Sequence, residues 1–487
     1  MYHPPSKRKQ LIRQVAVYTA MSVTVIVAVT ALVLVMIGYN FNKKDGRIEQ
    51  GGLIQFASLP SGAEVTVDGN AIGSQTPSKT TAFTGSHFVA MNKLGYKTWQ
   101  KSVDVLPGSI LWLNYARLIP TTLTPAAVID FTTVSSTSSS PDKKWMAIKE
   151  DPATPDIRLV NIADDKTPVT TLSLPPTSFT APSAGKTQSF TLDTWDNAGR
   201  YVLVKHTYDD GKLEWLVVDS QDAAKTKNIT TLLGIDASKV VFHGSNNKIM
   251  IAQIGTDIRQ IDLDAATLSR PLVTNVAEFN LTAASTITYV TNFDDAKKTR
   301  SVGYYKLNAD APVVLQSFND ATLPLHIAIG TYFGENYIAI NYGDMMNIYK
   351  GSLPKTTIAD SDLSTAATYK IDGGAQWLQI HTNGRFVIAQ KANVFTTYDI
   401  ELSKVTTTTL KGETEATKEL QWLDGYTVWS DKESVVRLYE FDGANQQDIM
   451  TVVPGYSVTL NPDGSYIYGV NKSAAGVFQL QRVKLVL

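Results

Sequence analysis

One apolar run constrains this chain more than anything else in it. From Val15 to Gly38 there are 24 consecutive residues without a charge. A helix rises about 1.5 Å per residue, so a run of this length crosses a bilayer core of about 30 Å with some tilt. The head before it carries Lys7, Arg8, Lys9 and Arg13 and no acid, whereas Lys43, Lys44 and Arg47 beyond it are diluted by Asp45 and Glu49. A basic head favours a cytoplasmic N-terminus. The expectation is a cytoplasmic tail over 1–14, a transmembrane signal-anchor helix over 15–39 that partners the lipid bilayer, and a linker over 40–50. Everything after it is then extracytoplasmic, in a single-pass protein of the cell membrane. A cleaved signal peptide fits less well. Its apolar region runs to about 7–15 residues, and Ile37-Gly38-Tyr39-Asn40-Phe41 offers no small-x-small cleavage site. Tyr39 and Phe41 suit a membrane interface, where aromatic rings sit well.

Composition narrows what lies beyond the helix. All 45 acids follow it and 4 of the 44 bases precede it, so the remainder carries 40 − 45 = −5. That is not the electrostatic footprint of a nucleic-acid binder. The chain has no cysteine, which removes thiol catalysis, disulfides and Cys-based zinc sites. The six histidines, His3, His87, His206, His243, His326 and His381, are scattered, with no pair at HExxH spacing. Short β-branched and aromatic runs separated by Gly, Asp and Asn dominate, and no amphipathic helix longer than about ten residues emerges. The chain reads as all-β.

Residues 51–120 read as a compact module. LIQFAS and AEVTVDG alternate apolar and polar positions, as half-buried strands do. Turns fall at Pro60-Ser61-Gly62 and Asp68-Gly69, and Gly95-Tyr96 turns HFVAMNK back into TWQKSVDVL. The order and spacing of Ser58, Pro60, Gly62-Ala63, the strand Val65 to Gly69, Gly73, Thr76-Pro77, Gly85-Ser86-His87 and Gly95-Tyr96 with Trp99 resemble a PEGA domain. The Pro-Glu-Gly-Ala of that family is here Pro60-Ser61-Gly62-Ala63. The resemblance implies a small surface β-sandwich, possible carbohydrate contact and no enzymatic activity. It leaves in doubt any role the missing carboxylate would play. A rigid spacer between membrane and main domain is an equally good reading of the module.

From Thr121 onward the chain repeats. Eight times a polar turn is followed by an apolar strand, a short polar loop and a second strand: 139–162, 195–220, 244–264, 285–307, 334–353, 382–402, 423–442 and 461–485. The period of roughly 40–55 residues is that of a four-stranded propeller blade. The pairs read as the two middle strands of each blade. SSPDKKW and NPDGSY resemble the Ser-Pro-Asp-Gly turns of TolB-like and WD40-like β-propellers, with degenerate copies in WDNAGRY, HTNGRF and WLDGYT. The Gly-His and Trp-Asp pairs of a true WD40 protein are not in register. The reading for 121–487 is a β-propeller of eight blades, alternatively seven. In it, the segment Thr121–Val134 pairs with the last blade near the C-terminal VFQLQRVKLVL.

Chemistry is hard to find. There is no GxSxG elbow, no Gly-rich phosphate loop and no EF-hand-like calcium pattern. Asp193, Asp196, Asp209, Asp210, Asp294 and Asp295 are acids on expected loops, but nothing brings two of them together as a glycosidase requires. Aspartates at turns usually serve the turn. Trp195, Trp377, Trp422 and Trp429 suit packing between blades better than sugar stacking. No catalytic, cofactor-binding or metal residue is assigned, no cofactor is expected, and the ligand-binding residues stay open. The expectation is a non-enzymatic, membrane-anchored binding or scaffold protein of a prokaryotic envelope, engaging cell-wall glycan or protein partners and no nucleic acid. The alternative is a propeller hydrolase acting on envelope polysaccharide, which demands two carboxylates converging in the channel mouth.

Overall fold

The computed structural model describes residues 7–36, 38–42, 46–244, 247–282, 285–412 and 419–487. The first six residues of the expected tail, with His3, and the flanking Lys43, Lys44 and Asp45 lie outside the described residues. The chain divides into two compact units, 1–122 with 486–487, and 123–485.

In the first unit the N-terminal helix spans Lys7–Met36, and its segment Gln10–Met36 is long and apolar enough to cross a membrane. Its apolar side chains are exposed on every face, from Leu11 to Met36. Water does not tolerate such a surface, whereas lipid does. The helix starts eight residues before Val15 because Lys, Arg, Gln and Leu are all good helix formers. Gly38, at φ 90°, lies just past its end, in a conformation other residues avoid. Tyr39 therefore lies outside the helix, at the start of a strand. The strand Tyr39–Asn42 pairs antiparallel with Arg47–Gln50, so the interval read as linker carries a short hairpin.

The sandwich follows. A three-stranded sheet places Gly52–Leu59 between Ser78–Ala82 and, in parallel, Ile110–Arg117. A four-stranded sheet runs Asn70–Gln75, Glu64–Val67, Gly85–Asn92, Trp99–Val105. Alternating residues Ile54, Phe56, Val65, Val89, Met91, Trp99, Leu111 and Leu113 fill the core. The residues that carried the resemblance build this unit. The Thr76 hydroxyl meets Ser58 Oγ at 2.6 Å and accepts the Ala63 N–H, while Ser58 Oγ donates to the Pro60 carbonyl. Ser58, Pro60, Ala63 and Thr76 form one hydrogen-bonded knot, which needs nothing from the side chain at position 61.

The second unit is a ring of four-stranded antiparallel sheets. Among the described residues there are eight: seven consecutive meanders over 136–173, 188–228, 237–268, 276–318, 325–370, 377–409 and 421–451, and a closing sheet. In each, the two middle strands are those whose apolar pattern stands out in the sequence. They are buried on both faces, as in Val202–Val204 against Leu216–Val218. The closing sheet takes Thr459–Leu460, Tyr466–Lys472 and Phe478–Lys484 from the end of the ring. Pro125–Phe131, from its start, pairs antiparallel with Phe478–Lys484.

Each sheet packs its face on the next. Ile157 and Leu159 meet Phe190, Val202 and Leu216, and Leu203 and Trp215 meet Met250 and Ile261. The circle closes where Met146 and Ile148 pack on Tyr468, Val470 and Leu480. A single sheet of this size would leave both apolar faces in water, and stacking the sheets in a ring covers both. The unit is a β-propeller.

The polar turns between first and second strands share one device. A side chain opening the turn accepts backbone N–H groups further on: Asp196 from Arg200 and Tyr201, Asn461 from Tyr466, Ser140 from Trp145, Asp424 from Tyr426 and Thr427. At Gly384 (φ 77°) a Cβ would lie 1.8 Å from the Thr331 carbonyl oxygen, so this copy of the turn admits only glycine.

Lys149 is a cation in the core. It is 0% exposed, its Nζ donates to the carbonyl of Asp156 at 2.7 Å and to Thr154, and it lies 5.6 Å from the centre of the Phe190 ring. Burial pulls its pKa from 10.5 down to about 8, against the nearby charges of Asp156, Asp151 and Glu150. Between those two values the unfolded chain holds a proton that the folded one has released. Stability therefore rises with pH across this window, with a slope approaching about 1.4 kcal/mol per unit. Thermal melts of the protein and of Lys149→Met from pH 7.5 to 10 check this: the wild-type slope is to exceed that of the variant.

Candidate functional site

The first strands of successive sheets line the propeller channel, and on one side of it they enclose a cavity of 640 Å³. Lys239 enters it from Ala237–Phe242, Glu278 and Asn280 from Val276–Leu281, and Thr331 from Leu325–Tyr332. Trp377 and Gln379 come from Trp377–Ile380, and Glu419 from just before Gln421–Trp422. Thr282, Thr286, Thr288, Asn336 and Gln376 complete a wall of hydroxyls and amides. These first strands belong to separate sheets that follow one another in sequence order around the ring, so residues some 40–50 positions apart come to line one cavity.

Four ionisable groups interact here. Glu278 Oε2 lies 3.1 Å from His326 Nδ1, and Asn280 Nδ2 donates to Glu278 Oε1 at 3.4 Å. Burial would raise the Glu278 pKa, but the bond and charge of His326, with the charge of Lys239, hold it below the usual value. Lys239 Nζ donates to the Phe279 carbonyl at 2.8 Å and lies 4.5 Å from the ring centre of Phe279. Burial lowers its pKa, opposed by Glu278, Asp193 and Glu419. Glu419 goes the other way, raised by burial and by the charge of Glu278, with Lys239 and His326 opposing. Asp193 pairs with Lys205 at 2.8 Å nearby. One carboxylate is thus committed to a histidine, and the second keeps its proton to higher pH than an ordinary glutamate. The cavity presents donors and acceptors of both kinds beside one indole.

The acids singled out in the sequence are elsewhere or otherwise occupied. Asp196 is buried in its turn. Asp209 accepts the N–H and Oγ–H of Ser183, which lower its pKa. Asp210 pairs with Lys186. Asp294 accepts the N–H groups of Ala296 and Lys297, and Asp295 pairs with Lys298 at 3.4 Å. Of the six, only Asp193 acts on the cavity, through its charge on Lys239. Trp195 and Trp429 are buried in the core. Trp422 is half-buried, donating its Nε1–H to Gln379 Oε1 at 2.9 Å with His381 against its ring, while Trp377 lines the cavity. Glu278 and Glu419 carry no local sequence signal. What unites them with Lys239 and His326 is position relative to the repeat, third or earlier in a first strand or just ahead of one. Among the described residues no three His, Asp or Glu side chains cluster as metal ligands would.

Comparison with known proteins places a PEGA domain at residues 52–118. No curated protein matches the chain. Solved structures with a similar fold include the Myceliophteria thermophila Cps50 (Swd1) β-propeller domain, at 11% identity and TM-score 0.38, covering 74% of this chain and 98% of that one. An oligogalacturonate lyase in complex with manganese aligns at 10% identity and TM-score 0.40, covering 73% and 98%. Kluyveromyces lactis Hsv2 aligns at 8% identity and TM-score 0.36, covering 72% and 97%. The propeller assignment rests on the sheet order and its closure, and these likenesses add no function to it.

Proposed function

We propose that this chain is a membrane-anchored surface protein that binds a glycan segment in its propeller channel without acting on it. The cavity carries the reading. Its 640 Å³ lies within the range of small-ligand sites, and its wall of Thr, Asn and Gln hydroxyls and amides around Trp377 suits a hydroxyl-rich, uncharged ring. The helix Lys7–Met36 is its anchor, with the N-terminus cytoplasmic. A PEGA domain next to that anchor agrees with an outward-facing position, since such domains are extracellular. Glu278 and Glu419 share the cavity, as hydrolysis would require, but Glu278 is engaged by His326 and the surrounding wall is mostly hydroxyls and amides, so we read the cavity as a binding site.

The test is retention of the detergent-solubilised full chain on purified cell-wall sacculi. Retention should be released by soluble wall polysaccharide and weakened about tenfold by Trp377→Ala, the equivalent of about 1.4 kcal/mol. Binding that is indifferent to Trp377→Ala removes the channel from the account. Failure on sacculi, with capture of one or a few envelope proteins instead, makes the chain a scaffold subunit.

A further inference from the structure

We infer that the sandwich is seated in the headgroup layer of the membrane through the end that adjoins the helix, with Ile48, Leu106, Ile110 and Trp112 as its contacts. The inference rests on reading Lys7–Met36 as a membrane span, and goes beyond it by assigning a lipid contact to a folded domain outside that span.

The geometry is short and closed. Gly38 lies two residues past the helix, and its N–H still donates to Val35. The Gly51 N–H donates to the Gly38 carbonyl at 2.9 Å, and the Gly108 N–H donates to the Gly51 carbonyl at 2.9 Å. Leu53 N–H donates to Ser109 at 2.9 Å, and a Cβ on Gly52 would lie 2.8 Å from the Leu106 carbonyl oxygen. Thr84 Oγ1 ties a third connection to the same place by donating to the Gln50 carbonyl at 2.7 Å. Two hydrogen bonds therefore link the helix end to the Leu106–Ile110 turn. The hairpin of Tyr39–Asn42 with Arg47–Gln50 folds away the length that would otherwise hold the sandwich off. The polar layer of a bilayer is about 5–8 Å deep on each side of its core, so this end of the sandwich has no room to stand clear of it.

The side chains there match the layer. Ile48 is 65% exposed, Leu106 56%, Ile110 49% and Trp112 40%. Ile110 and Trp112 alternate with the buried Leu111 and Leu113, so both point out of the same sheet face, with Leu53 beside Ile110 in the parallel register. Four large apolar side chains left in water at one end of a small domain are costly. Tryptophan among them suits an interfacial layer, which accepts an apolar body with a polar edge. A bilayer is the one partner whose presence at this place follows from the chain itself.

Because the chain has no cysteine, single cysteines report without background. Leu106→Cys, Ile110→Cys, Leu94→Cys and Val25→Cys are made in the full chain, labelled with an environment-sensitive fluorophore and reconstituted in phosphatidylcholine–phosphatidylglycerol vesicles with or without brominated lipid. Leu94, wholly exposed in the turn after Gly85–Asn92 at the opposite end of the sandwich, is the water reference, and Val25 is the helix reference. The expected result is a blue shift and at least twofold bromine quenching at 106 and 110, with none at 94. Labels at 106 and 110 that match 94 while Val25 is quenched overturn the seating and leave the anchor standing. A shielded but unquenched signal at 106 and 110 also overturns it, in favour of a protein contact. An unquenched Val25 overturns the anchor and the seating together.

Discussion

Leu480→Pro is expected to abolish the folded propeller. Leu480 is 0% exposed and lies in Phe478–Lys484, a strand bonded on one side to Tyr466–Lys472 and on the other to Pro125–Phe131. Proline removes a ladder donor wherever it falls in a strand flanked on both sides, and the substitution also deletes a buried leucine that packs on Met146 and Ile148. Leu480→Ala loses only the side chain, at about 2–5 kcal/mol, and is expected to melt cooperatively at a lower temperature. Leu480→Pro is expected to show no cooperative transition, because it uncouples the first strand of the ring from the last. Calorimetry of both variants beside the wild type separates the two effects. A cooperative melt of Leu480→Pro within a few degrees of Leu480→Ala would mean that the ring does not depend on this strand.

The second large effect is expected at Arg385. Its guanidinium is 5% exposed and grips Asp399 twice, Nε to Oδ1 at 3.0 Å and Nη2 to Oδ2 at 2.7 Å. It also pairs with Glu401, which accepts the Tyr332 hydroxyl at 2.8 Å. The rings of Phe386, Tyr426 and Phe441 surround it at 5.1–5.9 Å. Asp399 is buried with it. Removing one partner of a buried pair strands the other charge, so Arg385→Met is expected to cost about 3–5 kcal/mol. Adding Asp399→Asn should return part of the loss at pH 7. Denaturant titrations of wild type, single and double variants decide it, and a loss under about 1 kcal/mol for Arg385→Met would show that solvent reaches the pair. Arg200 and Asp219 hold the same places in their own sheet, with a bond of 2.8 Å. There the arginine side chain is 41% exposed, and the matching substitution should cost far less.

The propeller was legible because its information is local. In each sheet the second and third strands are close in sequence, apolar on both faces and joined by a turn whose opening side chain caps it. The pairs from 139–162 through 461–485 could be read one at a time. The sandwich was legible for a similar reason: Ser58, Pro60, Ala63 and Thr76 make one knot from residues within a span of 19. The boundary of the helix was less so, because Lys7 to Gln14 are good helix formers and charge alone does not end a helix. The channel was not legible. Lys239, Glu278, His326 and Glu419 each sit in or just before a first strand, the least distinctive strand of every repeat, and only closure of the ring brings them together. The same gap hid the exposed apolar end of the sandwich. Ile48, Leu106 and Ile110 look like ordinary strand and turn residues until the bond between Gly38 and Gly51 places them beside the helix.

The pairing of Pro125–Phe131 with Phe478–Lys484 sets a clock. Pro125 bonds opposite Val483, so 483 − 125 = 358 residues must be made after the first strand before its partner exists. At about 5–20 residues per second that strand waits for some tens of seconds while the other sheets assemble in turn. An unpaired strand is a template for wrong partners over such an interval. This one is poorly suited to recruit them: it begins with proline, carries Asp130, is broken in register between Ala127 and Ile129, and buries only its last residue. The strand that waits longest thus carries its own guards against wrong partners, so the newly made chain can stay open without being captured before it closes.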